Sequence, residues 1–168
     1  FLGAEADDLV YFPNPTTAVN MVAASLLRPH PGWPGLRAGD EILTTDHEYG
    51  ALERTWRHVA ARAGAVYRPV HIPMPVTTPA DFVERVWAGV TPRTRILFIS
   101  HLTSPTALIF PVAELCRRAR AQDILTIVDG AHAPGQLTLN LAEVGADIYT
   151  GACHKWLLAP KGAAFLHA

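Results

Sequence analysis

Apolar and polar positions along the chain switch repeatedly between two periods. Leu9–Phe12 is a short apolar run closed by Pro13, Asn14 and Pro15. Ala18, Met21, Val22, Ser25 and Leu26 then recur at helical spacing, which predicts an amphipathic helix. A Pro- and Gly-rich loop over 29–39 leads to a strand at 41–44. A second helical face, Leu52, Trp56, Val59, Ala60 and Ala63, stops at Gly64, a residue suited to the left-handed position after a helix. A strand at 65–72 is followed by the breakers Pro73, Pro75 and Pro79, and by a helix through Phe82, Val83, Val86, Trp87 and Val90. Beyond it come a strand at 95–100 and a helix through Val112, Leu115, Cys116 and Ala119. A strand at 124–128 ends at Asp129, a short helix lies around 139–144, and the last strands are at 147–150 and 163–166.

Continuous apolar strands separated by helices predict an α/β fold, a mostly parallel sheet with helices on both faces. Such sheets bind ligands beyond the carboxyl ends of their strands. That rule selects the loops at 13–17, 46–50, 101–107, 129–135 and 153–156.

Composition narrows the function. The 168 residues suit one domain, and 49% hydrophobic with 17% charged residues is globular. A net charge of −1 leaves no electrostatic footprint for nucleic acid or an anionic membrane. Two cysteines, Cys116 and Cys153, cannot make a disulfide framework; both read as small packed residues. The longest stretch without Asp, Glu, Lys or Arg, 96–113, contains Ser100, His101, Thr103, Ser104, Pro105, Thr106 and Pro111, so it is not a bilayer span. Glu5, Asp7 and Asp8 near the start are wrong for a targeting segment, and a cytoplasmic location is expected. A first residue other than Met and an end just after an apolar run predict a fragment. Such a fragment alone is expected to expose core surface such as Ala163–Leu166.

The polar residues of the selected loops carry the chemistry. Asp129 follows five apolar-rich strand positions; a buried carboxylate needs a partner, although an Asp capping the next turn fits the position as well. Lys155 lies between His154 and Trp156, ahead of Leu157 and Leu158. Desolvation makes a lysine a usable amine nucleophile, and a solvated surface lysine is the plainer reading. His132 sits three residues after Asp129 and reads equally as a structural histidine. Thr16 and Thr17 stand where a loop becomes a helix, which suits an anion site or simple capping. His47 also precedes a helix. An anion site, a ring, a buried Asp and a Lys are together what pyridoxal phosphate needs. His101, His132 and His154 offer an alternative, a metal-dependent hydrolase, but no pair has a metal-motif spacing.

The segments Val128-Asp129-Gly130-Ala131-His132-Ala133-Pro134-Gly135 and Thr150-Gly151-Ala152-Cys153-His154-Lys155-Trp156-Leu157, with Lys155 26 residues after Asp129, resemble the class V aminotransferase family. The wording Asp46-His47-Glu48-Tyr49-Gly50-Ala51 and Ser100-His101-Leu102-Thr103-Ser104-Pro105-Thr106 is similar to that of its isopenicillin N epimerase-like branch. The likeness runs from Asn14 to Gly162. It implies a fold type I large domain over 1–168, lacking the small C-terminal domain, with pyridoxal 5′-phosphate as cofactor and an amino acid as substrate. It implies that Lys155 is the Schiff-base lysine, that Asp129 pairs with the ring nitrogen, and that His132 lies near the phenolic oxygen. His47 would stack on the ring, Pro15, Thr16 and Thr17 would lie near the phosphate, Ser104 near the phenolic oxygen, and His154 would support the phosphate or the lysine loop. Ala152 stands where cysteine desulfurase relatives carry a phosphate-binding Ser, with Thr150 the nearby hydroxyl to replace it. The resemblance also implies a homodimer, with an arginine for the substrate carboxylate supplied by the missing small domain. Epimerisation or transamination is expected, with cysteine desulfuration or β-elimination as alternatives in the same family, and a non-catalytic fragment outside it.

Overall fold

The computed structural model describes residues 1–76 and 78–168. Seven strands form one sheet: β1 (Leu9–Phe12), β2 (Glu41–Thr45), β3 (Val66–Val70), β4 (Thr94–Ser100), β5 (Leu125–Asp129), β6 (Ile148–Ala152) and β7 (Ala164–His167). Their spatial order is β1-β7-β6-β5-β4-β2-β3. The pairs among β3, β2, β4, β5 and β6 are all parallel. β7 runs against both β6 and β1. The two reversals cancel, so β1 points the same way as β6, and its carboxyl end reaches the same edge as theirs.

Strand residues alternate between two cores because successive side chains leave opposite faces. Ile42, Ile96, Phe98 and Ile127 pack with Val19 and Ala23 of α1 (Pro15–Ser25) and Trp56 of α2 (Gly50–Ala63). Leu43, Leu97, Ile99 and Val128 pack on the other face with Phe82 and Val86 of α3 (Pro79–Trp87) and Leu115 of α4 (Val112–Arg120). Burying both neighbours of each pair explains why the strands read as unbroken apolar runs. Each such side chain contributes about 1.5–3 kcal/mol. The short α5 (Leu141–Val144) joins the second layer.

Local sequence fixes the helix ends. α1 starts with Pro15 at its first position, and the Asn14 side chain accepts the Thr17 amide at 2.8 Å. α2 ends at Gly64, with φ of 69°, where a side chain would be strained. Cys116 lies within the α4 core. One expectation is overturned: Ala164, Phe165 and Leu166 are buried, because β1 and β6 flank β7 and cover the run.

Candidate active site

A cleft of about 160 Å³ opens at the carboxyl edge of the sheet. Five connections converge on it. Asn14, Pro15 and Thr16 come from the β1–α1 turn, and Tyr49 from the start of α2. Ser100, Leu102 and Ser104 follow β4, Asp129, Ala131 and His132 follow β5, and His154 and Lys155 follow β6.

Asp129 is the deepest charge. It is 5% exposed, and its Oδ1 accepts the Ala131 amide at 2.9 Å. Burial pushes its carboxyl above the usual range, against the opposing pull of that amide and of Lys155. Among the described residues no cation lies within 4.0 Å of it in an ion pair. Gly130 is obligatory here, since a Cβ would fall 2.1 Å from the Tyr149 ring. The Tyr149 hydroxyl in turn shares a hydrogen bond of 2.8 Å with His101 Nδ1. Burial lowers the His101 pKa to about 4, so the imidazole is neutral.

Lys155 is half-buried, and burial lowers its pKa despite the nearby Asp129. Its Nζ lies 2.9 Å from His132 Nε2, and the Trp156 indole N–H donates to His132 Nδ1 at 3.1 Å. The His132 pKa is held down by burial and by Lys155. His154 fixes its ring through Nδ1, 2.9 Å from the Ala163 carbonyl. Cys153 is partly buried and its thiol is pushed up by burial, which suits the packing role read for it.

Several predicted residues lie elsewhere. Thr17 is committed to capping: its amide and hydroxyl both reach Asn14 Oδ1, at 2.8 and 3.1 Å. His47 is buried beside the cleft-lining set, with Nε2 2.9 Å from the Ile72 carbonyl and Nδ1 3.1 Å from Thr106 Oγ1. Tyr49, two residues on, lines the cleft. Thr150 does not replace the hydroxyl absent at Ala152, because its Oγ1 donates to the Phe165 carbonyl at 2.9 Å and is buried under β7. His101 bonds Tyr149 rather than joining His132 and His154. Among the described residues no three His, Cys, Asp or Glu side chains are grouped as metal ligands.

Sequence reasoning missed Asn14, Tyr49 and Ser100 as lining residues, and Glu48 beneath them. Glu48 is 7% exposed and accepts Thr45 Oγ1 at 2.7 Å and Ser100 Oγ at 2.6 Å. Burial raises its pKa to about 7. A polar residue in the loop before a helix gives no sign of such burial; for Asn14 the signal available was its place directly before Pro15 at a helix start.

The arrangement fits a flat anionic ligand with a basic ring nitrogen. It offers a helix start with amides and a hydroxyl, a buried carboxylate lacking a cation, and a half-buried amine. Residues 1–168 match the family model described as aminotransferase class-V. The isopenicillin N epimerase of Amycolatopsis lactamdurans is 46% identical over 168 residues, covering 99% of this chain and 41% of that protein. That of Streptomyces clavuligerus is 45% identical over 166 residues, covering 99% and 40%. Among solved structures, a C-DES mutant with glycine covalently linked to its PLP cofactor aligns with a TM-score of 0.82 at 27% identity, covering 98% of this chain and 41% of that one. The chain thus spans about two fifths of the length of the curated relatives it matches.

Proposed function

Because the chain belongs to the aminotransferase class V family, we propose that residues 1–168 form the cofactor-binding part of the large domain of a pyridoxal 5′-phosphate enzyme that epimerises an amino acid at Cα. The fold is that of the type I pyridoxal phosphate enzymes, and this cofactor is the one the family implies. The observation that carries the reading is the meeting of Lys155 and Asp129 in one cleft. The two isopenicillin N epimerases at 45–46% identity support epimerisation. The structural likeness to C-DES, described as a cystine C-S lyase, supports β-elimination as the second reading.

The roles follow from the chemistry of the lining. When bound, the cofactor supplies an electron sink for charge developing at the substrate Cα. Lys155 anchors it and, as a free amine, takes the Cα proton on Nζ; its burial favours the neutral form that this needs. Asp129 holds a positive charge at the ring nitrogen, which relieves the cost of its own burial. Pro15, Thr16 and the α1 amides receive the phosphate, with Thr17 contributing through its cap. His132 and Ser104 serve the phenolic oxygen, and His154 steadies the lysine loop. The ring-covering role expected of His47 passes to Tyr49, the aromatic residue in the cleft lining. The whole protein acts as a cytoplasmic homodimer on a small amino-acid substrate; no described helix is long and apolar enough to cross a membrane.

The test uses full-length protein with added pyridoxal phosphate, borohydride reduction and peptide mapping. A cofactor absorption band and a reduced adduct on Lys155 are expected. Exchange of the Cα hydrogen with solvent deuterium, with inversion, separates epimerisation from elimination. No band and no adduct overturn the reading.

A further inference from the structure

Three side chains at the mouth of the cleft form a chain of two hydrogen bonds whose direction is determined. The Trp156 indole has a donor and no acceptor. At 3.1 Å from His132 Nδ1 it therefore requires that nitrogen to accept. A neutral imidazole carries one proton, and that proton then sits on Nε2. His132 Nε2 lies 2.9 Å from Lys155 Nζ, so the imidazole donates and the amine accepts. A lysine can accept only as the neutral amine, because the ammonium form has no lone pair.

We propose that Trp156 is a positioning residue that locks His132 in the Nε2–H tautomer and thereby holds Lys155 as a neutral amine. The tautomer and the amine's charge stand on the two contacts alone; their catalytic meaning rests on the cofactor reading above. The local ionisable groups agree. Asp129 from β5 favours the ammonium, yet burial outweighs it, and burial likewise disfavours a charged His132. The other titratable groups lining the cleft are His154, whose Nδ1 is taken by the Ala163 carbonyl, and Tyr49. Without the indole donor the proton of His132 is free to move to Nδ1. Nε2 would then accept from an ammonium, and the charged lysine would gain a partner.

The arrangement also gives Trp156 a reason to be half-exposed, at 50%, beside an apolar Leu157-Leu158 pair. Its ring is at the surface and its N–H points inward to a histidine.

The experiment uses cofactor-free full-length protein, wild type and Trp156→Phe. Nitrogen-15 NMR of labelled histidine reads the His132 tautomer. Competitive acetylation with acetic anhydride across pH, mapped by mass spectrometry, reads the free-amine fraction of Lys155. The expected result is the Nε2–H tautomer in wild type and its loss in Trp156→Phe. Acetylation of Lys155 near neutral pH then falls about tenfold, the effect of a one-unit rise in amine pKa, and its profile moves to higher pH. An Nδ1–H tautomer in wild type overturns the proposal without any variant. So does a Trp156→Phe profile that coincides with wild type. The cofactor reading is judged separately, by the borohydride adduct on wild-type Lys155. Its failure would leave the tautomer measurement to decide this proposal.

Discussion

Ser100 donates its hydroxyl to Glu48 at 2.6 Å while lying opposite Asp129 in the register of β4 and β5. One small side chain thus stands between two buried carboxyl groups. Asp129 raises the pKa of Glu48 further, beyond the main effect of burial. Asp129 lines the cleft, and beneath the lining Glu48 is a second buried carboxyl whose pKa is raised to about 7.

Glu48→Gln tests this arrangement through stability. The folded-state pKa, about 7, exceeds the ordinary 4.5, so the folded protein binds more protons between those values. Its stability therefore falls as pH rises from 4.5 to 7. The displacement is on the order of 3 kcal/mol across that window. Glu48→Gln should remove this fall, so that the variant gains on wild type as pH rises from 4.5 to 7 and the difference levels off above it. Urea unfolding of the full-length protein at several pH values checks it, and parallel curves for the two proteins would refute it.

Asp129→Asn keeps the shape of the cleft and removes the charge. Cofactor should remain bound through Lys155 and the α1 start. Turnover should drop by about 10²-fold or more, the usual cost of removing one preorganised charge. Steady-state kinetics beside an absorption titration separates the two effects, and equal turnover would sink the assignment of Asp129 to the ring nitrogen.

Thr16 and Thr17 should part company. Thr16→Val removes a hydroxyl from the cleft and should weaken pyridoxal phosphate binding about tenfold, the worth of roughly one hydrogen bond. Thr17→Val removes a bond to Asn14 and should cost about 1 kcal/mol of stability with little change in affinity. Fluorescence binding and thermal melting on both variants read the distinction.

Gly130→Ala should be the most damaging single methyl in the site. Its Cβ would collide with Tyr149, which is held by His101. A loss of about 1–3 kcal/mol is expected from overpacking, seen as a lower melting temperature even before cofactor is added.

The strands and helices were legible because burial on both sheet faces leaves an unbroken apolar run, and because Pro13-Asn14-Pro15, the breaker Pro79 and the stop at Gly64 punctuate the elements. The convergence of Asp129 and Lys155 was legible from two flanking segments. What stayed hidden depended on facing. His47 and Tyr49 are both rings before α2, and only the start of that helix decides which one reaches the cleft. Thr150 and Ser100 are both strand-end hydroxyls, yet one is turned to β7 and the other to Glu48. No spacing in the chain records the antiparallel seat of β7, since the strand is short and one of its two neighbours, β1, is far away in sequence.

That seat has a consequence for synthesis. Of the seven strands β1 is made first, and β7, its sheet neighbour among the described residues, is made last. While the ribosome works through the intervening chain, the strand that will bring Asn14 and Thr16 to the cleft has no edge to join. The phosphate end of the site is therefore assembled after the lysine end, and a nascent chain presents an unpaired strand until β7 emerges to receive it.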